Sequence, residues 1–454
     1  MRRRDFLVGA GAGLAAGVAG AEQARLLPAT GGGTPSAQGT VNARGPANAQ
    51  GAAHAPGRPA ASLSAAQDVA PGAAPPSPAP QACATGAAAE PFPLVRARPD
   101  RIVAITVCTR PFRAQGPRIE TERLGRKTIV HNYGHGGAGW SLSWGSAALA
   151  LRQVQGTREK DIAVIGCGVI GLTSALTAQR AGYKVKIYTK DRPPDVRSTF
   201  ATGNWSPESR FCSRDGGTPE VLSRWEEMTR ISFRRYQFML GLPGDPVEWR
   251  DGYYLADPSR GLVNSHAVEG EPPYPVLQPL VSDIAPRAET LLPGTHPFPT
   301  EVARRFPVMV FNIAALTQLY MSEFLAAGGV IETREFETPK DISKLREKVV
   351  INATGYGARA LFGDQSVTPV RGQIARLIPQ PEVNYALQYA DQFYLLARRD
   401  ALILQTTEPG DFGNEDITPN RAVAERAVQA LATLNERIRA YQACTPPPIP
   451  PPPA

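Results

Sequence analysis

Cysteine is scarce in this chain of 454 residues: there are five, and no two of them have the spacing of a CxxC motif. This excludes the disulfide framework of a small secreted domain and a zinc site of the finger type. Which cysteines would pair in an oxidising compartment is left open. An uncharged run of eighteen apolar residues is also missing, so neither a transmembrane helix nor stable membrane insertion is expected.

Dense blocks of Lys and Arg are missing beyond the first few residues, although the chain has 49 basic and 41 acidic residues and a formal charge of +8. The excess is spread along the chain, where it acts on solubility and on the surface field. A nucleic acid is therefore not an expected partner.

Large apolar side chains are scarce in residues 22–95, which are mainly Ala, Gly, Pro, Ser, Thr and Gln. Such a segment cannot bury enough surface to offset its ordering entropy, so a disordered linker is predicted. Residues 444–454 are nearly all proline and predict a short polyproline II tail. The body between these segments is long enough for a two-domain enzyme.

The first 21 residues have the order of parts found in a signal peptide. Arg3-Arg4 is followed by Asp5-Phe-Leu7, then by a weakly apolar run and by the small residues Ala19-Gly-Ala21. This pattern predicts a twin-arginine signal, with the Tat export machinery as a partner and a periplasmic or extracellular location. A basic amphipathic start or a disordered tail is the alternative.

The strongest motif lies at residues 161–172, Asp-Ile-Ala-Val-Ile-Gly-Cys-Gly-Val-Ile-Gly-Leu. Gly166, Gly168 and Gly171 follow a short apolar run that predicts a buried strand. A helix is predicted over residues 173–181 and a second strand over 184–188. Strand, glycine turn, helix and strand in this order indicate a dinucleotide site.

The three glycines have separate tasks in such a site. They permit a tight turn, a close approach of the backbone to a pyrophosphate, and close packing of helix on strand. The helix N-terminus, with Val169 and Ile170, supplies amide donors to the phosphates. Asp191 is the candidate for the ribose hydroxyls, since Thr189 occupies the position where an acid is usual. The motif alone does not separate FAD from NAD.

Other segments carry a resemblance to a known family. They are Arg110-Pro-Phe-Arg113, residues 116–123, Thr128-Ile-Val-His-Asn-Tyr-Gly-His-Gly-Gly-Ala-Gly-Trp-Ser-Leu-Ser-Trp-Gly-Ser146, Ser198-Thr-Phe-Ala-Thr-Gly-Asn-Trp-Ser-Pro207, Phe311-Asn-Ile313, Val349-Val-Ile-Asn-Ala-Thr-Gly-Tyr-Gly-Ala358 and Val370-Arg-Gly-Gln-Ile374. Together they resemble the D-amino-acid oxidase family of FAD-dependent oxidoreductases, over most of residues 100–410. The resemblance is weakest over 215–300.

The resemblance implies FAD as the cofactor and an α/β fold. The expected architecture is a Rossmann-type FAD-binding domain with a parallel central sheet, plus a substrate domain with a mixed, largely antiparallel sheet. In the family a segment like 128–146 lies near the C-terminus, whereas here it precedes the glycine motif. The order of elements is thus interpreted as permuted, which is possible because domain ends often lie close together.

The domain boundaries follow from this interpretation. They are a signal peptide at 1–21, a linker at 22–95, a permuted segment at 96–160, an FAD-binding βαβ unit at 161–211, a first substrate-domain part at 212–305, a second FAD-domain part at 306–365, a second substrate-domain part at 366–443 and a tail at 444–454.

The resemblance also implies roles for single residues. Arg110 would bind the substrate carboxylate, with Arg113 as the substitute; an ordinary salt-bridged surface Arg is the alternative. Tyr394, on a strand pair formed by residues 391–396 and 401–404, would also contact the carboxylate, or else be a plain strand residue. The Gly137 carbonyl would accept from the substrate amine. The remaining cofactor contacts are assigned to Gly136, Gly137, Gly139, Trp140, Ser141, Ser198, Gly203, Asn204, Thr354 and Gly355.

A metal pair is the alternative for His131 and His135. Their spacing of four suits a helix, but the glycines between and after them disfavour one, and no third ligand stands nearby. No metal is therefore expected. The glycines are better explained as a loop whose backbone closely approaches a flat cofactor.

The reaction implied by the resemblance is hydride transfer from the α-carbon of a D-amino acid to the flavin. The imino acid hydrolyses to a 2-oxo acid and ammonia, and molecular oxygen is reduced to hydrogen peroxide. The alternatives are a dehydrogenase with another acceptor, an oxidase for glycine or N-methyl amines, an exported flavin-binding protein without turnover, and an NAD-dependent dehydrogenase. The segments at 128–146 and 349–358 disfavour the last.

Overall fold

The apolar patterns of the sequence become strands and helices over residues 92–256, 270–284, 287–406 and 408–444, the parts of the chain that the computed structural model describes. The predicted signal peptide, nearly all of the predicted linker and nearly all of the proline-rich tail lie outside these ranges. Among the described residues, no helix combines the length and the apolar character needed to cross a membrane.

The described strands alternate with helices only in part of the chain. The strands are β1 (Ile102–Arg113), β2 (Arg118–Leu124), β3 (Lys127–Tyr133), β4 (Asp161–Ile165), β5 (Lys184–Thr189), β6 (Val247–Leu255), β7 (Glu289–Leu291), β8 (Ala303–Phe311), β9 (Val330–Thr333), β10 (Val349–Asn352), β11 (Val367–Leu377), β12 (Ala386–Tyr389), β13 (Phe393–Ala397) and β14 (Leu402–Gln405). The helices are α1 (Gly139–Gln155), α2 (Val169–Arg180), α3 (Pro219–Gln237), α4 (Ile313–Ala326), α5 (Pro339–Ser343), α6 (Ala358–Leu361) and α7 (Arg421–Cys444).

One sheet has six strands in the order β2-β3-β10-β4-β5-β9. All neighbours are parallel except β2, which pairs antiparallel with β3. Its central strand β4 is buried because parallel strands flank both of its edges and helices cover such sheets. The predicted parallel central sheet is confirmed.

The other sheet has eight strands in the order β1-β11-β14-β13-β12-β6-β8-β7. Its pairs are antiparallel except β12 with β6, which are parallel. Helix α7 packs on it through an apolar face that includes Val428, Leu431 and Leu434. The predicted mixed, largely antiparallel second sheet is confirmed.

Residues 102–155, the first part of the described chain, contribute to both sheets. Strand β1 pairs with β11 from Ile102↔Leu377 to Arg113↔Val367, while β3 lies between β2 and β10. Helix α1 packs against α2 and α3. The segment interpreted as permuted is thus an integral part of the structure, and the domain boundaries stay predictions.

Helix α2 starts earlier than predicted, whereas strand β5 starts at the predicted residue 184. Helix α1 begins at Gly139, and α2 begins at Val169 rather than at the predicted residue 173. The reason in α2 is Gly168, whose extended backbone places the first helical residue directly after it. Gly182, with φ 84°, follows the end of this helix in the left-handed conformation that favours glycine.

Candidate functional site

A cleft of about 1180 Å³ is lined by residues from both sheets. The parallel sheet contributes the carboxyl ends of β4, β5 and β10, where α/β folds place their ligands. The eight-stranded sheet contributes side chains of β1, β12, β13 and β14. The volume exceeds that of a usual small-molecule pocket and suits a large cofactor together with a substrate.

The glycine turn after β4 is shaped by direct contact with the end of β10. Gly166 has φ 107°, and a Cβ there would lie 2.5 Å from the carbonyl oxygen of Ala353. A Cβ on Gly171 would lie 1.9 Å from the carbonyl oxygen of Gly166. Only glycine fits at these positions, so the backbone stays open towards the cleft. This is a cradle that a dinucleotide fits.

Asp191 belongs to the same cleft as this cradle. It is exposed, lines the cleft and follows β5. Lys190 turns away to pair with Glu335 at 2.6 Å. The contact of Asp191 with ribose hydroxyls stays a prediction.

The glycine loop, residues 134–137, connects β3 to the start of α1. Gly136 N donates to the carbonyl of Pro111 at 2.8 Å, and Gly137 N donates to that of Ser209 at 3.0 Å. A Cβ on Gly136 would lie 2.0 Å from the carbonyl oxygen of Arg210. The bond to Pro111 ties the loop to β1 directly beside Arg110.

Arg110 is a cation in the cleft without an acidic partner in direct contact among the described residues. Its Nη1 donates to the carbonyl of Arg371 at 3.1 Å. Burial lowers the pKa of the Arg110 guanidinium, and the positive charge of Arg210 lowers it further. An arginine stays protonated nonetheless. The remaining donors suit an anionic ligand such as a carboxylate.

Tyr394 faces the same cleft from β13. Its register partners Gln388 on β12 and Gln405 on β14 also line the cleft, so a row of three polar side chains crosses the sheet. Burial raises the pKa of the Tyr394 phenol. The hydroxyl makes no hydrogen bond to any residue in the described ranges, which leaves it available to a ligand.

A second guanidinium, Arg210, lines the cleft near Arg110. Its Nε and Nη2 donate to one oxygen of Glu271 at 2.9 and 2.6 Å, and the other oxygen accepts from Tyr274. The side chain of Glu271 is only 2% exposed. Because this pair is neutral as a unit, Arg110 dominates the charge at this end of the cleft.

The two histidines that were considered as an alternative metal pair, His131 and His135, lie in different surroundings. His131 is in β3 and bonds Glu122 and Asn352. His135 is in the glycine loop, where its Nε2 contacts Ser146 and burial lowers its pKa to about 3. No group of three or more possible metal ligands occurs in the described ranges.

Most predicted site residues line the cleft, and two do not. The hydroxyl of Ser141 accepts from Ser206 N at 2.8 Å within the protein core, so Ser141 does not line the cleft. Gly171 serves helix packing instead of lining the cleft. The residues that do line it are Arg110, Gly136, Gly137, Gly139, Trp140, Gly166, Gly168, Val169, Ile170, Asp191, Ser198, Gly203, Asn204, Thr354, Gly355 and Tyr394.

Sequence reasoning missed Cys108, Arg210, Gln388 and Gln405. Cys108 had a signal, since it precedes Arg110 by two residues and therefore lies on the same face of β1. Gln388 and Gln405 had none, because their place depends on strand register. Arg210 lies in a loop with φ 50°, which no local pattern announces.

Comparison with known proteins adds a sequence match over most of the described chain. The family model described as DAO, FAD dependent oxidoreductase, matches residues 161–449. The chain is 28% identical over 281 residues to D-amino-acid oxidase from Rubrobacter xylanophilus, covering 61% of this chain and 77% of that protein. It is 26% identical over 292 residues to D-amino-acid oxidase from Streptomyces coelicolor, covering 62% and 79%.

Among solved structures, the chain is similar to glycine oxidase from Geobacillus kaustophilus, with a TM-score of 0.43 and 15% identity over 62% of this chain and 80% of that one. It is also similar to iminodiacetate oxidase from Chelativorans sp. BNC1, with a TM-score of 0.43 and 16% identity over 61% and 79%.

Proposed function

Because this chain belongs to the DAO family of FAD-dependent oxidoreductases, we propose that it oxidises D-amino acids to 2-oxo acids, with release of ammonia and reduction of oxygen to hydrogen peroxide. The observation that carries the proposal is Arg110, a cleft guanidinium that contacts no carboxylate of the described residues. A buried cation of this kind is completed by a ligand carboxylate.

The residues that would hold FAD are those of the glycine cradle and of the loops around it. Gly166 and Gly168 would admit the pyrophosphate, and Asp191 would bind ribose hydroxyls. The glycine loop and the turn at 353–357 line the rest of the cleft. Bound FAD supplies the acceptor for the two electrons of the substrate's Cα–H bond.

The protein's own contribution is orientation of the substrate. Arg110 would hold the carboxylate through paired N–H donors, and the hydroxyl of Tyr394 would donate to it. The carbonyl of Gly137, next to the loop bond that joins β1, would accept from the substrate amine. Holding the carboxylate and the amine fixes two substituents of the α-carbon, and the requirement that its hydrogen face the cofactor then sets the direction left for the side chain.

The first 21 residues support a further part of the proposal, export by the twin-arginine route to the periplasm or beyond. This route carries folded proteins, which suits an enzyme that must fold around its cofactor. To test this, the full-length wild type and a variant with both Arg3→Lys and Arg4→Lys are expressed, and the cytoplasmic and exported fractions of each are compared. Equal export of both forms overturns it.

The experiment for the reaction uses protein lacking residues 1–21. A panel of D- and L-amino acids, glycine and N-methyl amines is added in air while the flavin spectrum and peroxide are followed. Bleaching and peroxide with D-amino acids support the proposal. Bleaching without peroxide assigns a different acceptor, turnover of other amines only assigns a different substrate, and an unchanged spectrum overturns the reaction.

A further inference from the structure

A chain of hydrogen bonds runs from the surface of the six-stranded sheet to the cofactor cleft. It begins at Glu122 on β2, whose Oε2 lies 2.9 Å from His131 Nε2. On the other side of the ring, His131 Nδ1 lies 3.1 Å from Asn352 Nδ2. Asn352 Oδ1 then accepts from both the backbone N and the hydroxyl of Thr354, at 3.2 and 2.8 Å. Both His131 and Asn352 are fully buried.

The far end of this chain is the turn at residues 353–357, which lines the cleft. The turn also closes the glycine cradle, since the carbonyl of Ala353 is the group that a Cβ on Gly166 would strike. Whatever holds Thr354 in place therefore holds one wall of the cofactor site.

Only one arrangement of protons satisfies every bond. The backbone N–H of Thr354 can only donate, so the Asn352 atom that faces it has to be the amide oxygen. The amide nitrogen then points at His131 Nδ1, which must be an unprotonated acceptor. The ring proton is on Nε2 and is donated to Glu122. This fixes His131 as the neutral Nε2–H tautomer.

We propose that His131 is a positioning residue for the cofactor: as a neutral acceptor it fixes the amide orientation of Asn352, which holds the Thr354 turn against FAD. A proton on Nδ1 would face the amide hydrogens of Asn352. Relief requires the amide to turn over, which points its NH₂ group at the backbone N–H of Thr354 and breaks that bond, while the Thr354 hydroxyl loses Asn352 Oδ1 as its acceptor. Protonation of His131 therefore loosens FAD.

The charged and titratable groups around His131 determine the pH at which its ring is protonated. Glu122 and Glu120 lie on the adjacent strand β2, with Arg118 on the same strand bonded to both carboxylates. Tyr133 follows in β3 and contacts the ring, as does Phe362 from the side of α6. Burial lowers the pKa of His131, while Glu122 opposes the decrease. Acid should thus release FAD below the usual histidine range.

Two variants separate this role from mere packing. In His131→Asn the side-chain oxygen takes the place of Nδ1, still accepts from Asn352 and does not titrate. In His131→Gln the amide nitrogen takes the place of Nε2 and keeps the Glu122 contact, but the acceptor for Asn352 is lost. FAD affinity at pH 7.5 and the pH midpoint of FAD release are measured by flavin fluorescence.

His131→Asn is expected to bind FAD within about threefold of the wild type and to lose the acid-induced release, whereas His131→Gln binds about tenfold more weakly or worse. Glu122→Gln should move the release midpoint to lower pH, because the carboxylate favours the protonated ring. The matched control is His296→Gln, a buried histidine that bonds Phe298 N outside this chain of bonds.

Equal FAD affinities of His131→Asn and His131→Gln, or a wild-type release midpoint in His131→Asn, would overturn the proposal. Circular dichroism of each apoprotein verifies folding. If neither His131 variant folds, the Glu122→Gln midpoint decides the matter: a midpoint that does not move overturns the proposal. Since the readout is FAD binding, the result is independent of the substrate and of the electron acceptor.

Discussion

A Cβ atom on Gly372 would lie 2.5 Å from Nη2 of Arg110 and 2.6 Å from its Cζ. Gly372 is on β11, where it pairs with Cys108, two residues before Arg110 on β1. The guanidinium therefore lies across the space that a side chain on the neighbouring strand would fill. A glycine outside the cleft lining thus determines where the proposed carboxylate clamp sits.

Gly372→Ala should displace the clamp and lower kcat/KM about tenfold or more while FAD binding is kept, because orientation of the substrate depends on ångström-scale placement. Steady-state kinetics and flavin fluorescence measure the two effects. Gly156→Ala is the control, since its nearest neighbour is the Gln153 carbonyl oxygen at 3.4 Å. Unchanged kinetics in Gly372→Ala would show that Gly372 does not determine the position of the Arg110 guanidinium.

Arg110→Ala should retain FAD and lower kcat/KM by about a hundredfold to a thousandfold, as expected for loss of a charge-assisted pair. Arg110→Lys should recover only a small part of the lost kcat/KM, because an ammonium cannot form two parallel hydrogen bonds to a carboxylate. Arg113→Ala tests the other arginine that the sequence offered for binding the substrate carboxylate. Its Nε bonds Ser366 at 2.9 Å, so a loss of stability is expected rather than a loss of turnover.

Tyr394→Phe should raise KM about tenfold without lowering the thermal unfolding midpoint. The hydroxyl has no partner among the described residues, so its removal breaks no protein hydrogen bond. The raised pKa of Tyr394 keeps the phenol protonated over the working range, which predicts the same KM effect from pH 6 to 9. A lower unfolding midpoint together with an unchanged KM would assign Tyr394 to the core alone.

Gly136→Ala should lower the free energy of unfolding far more than Gly125→Ala, although the two glycines have nearly the same φ, 56° and 58°. At Gly125 nothing lies within 4 Å of the added Cβ, whereas at Gly136 the Arg210 carbonyl oxygen lies at 2.0 Å. Gly125→Ala should lose about 1 kcal/mol of unfolding free energy from the left-handed backbone. Gly136→Ala should lose at least twice that and bind FAD poorly, as seen by urea unfolding and fluorescence.

The buried ring of His135 predicts a pH-dependent stability. Its folded pKa of about 3 lies below the unfolded value, so the unfolded chain takes up a proton first as pH falls. The free energy of unfolding is therefore highest above about pH 6.5 and is lower by about 2 kcal/mol at pH 5. Urea unfolding at fixed FAD concentration should show this slope, and His135→Gln should have a shallower one. Identical slopes would contradict the burial of a neutral ring.

The sequence alone predicted the dinucleotide unit well because its signals are local. Gly166, Gly168 and Gly171 stand between an apolar strand and a helix within one short segment. Arg110 and Tyr394 were located through resemblance, and the structure places both at one cleft. The strand register that places Gln388 opposite Tyr394 could not be predicted from the sequence, because it depends on how the strands pair in the folded protein.

Strand β3 reaches its neighbour β10 across 221 residues of chain, and Arg110 reaches Arg371 across 261. The two walls of the cleft are therefore made by parts of the chain that leave the ribosome far apart in time. The early segment has no partner for its open edge until β10 and β11 have been synthesised. Contacts this distant in sequence fold slowly. The cofactor can thus be captured only by a nearly finished chain, late in biosynthesis.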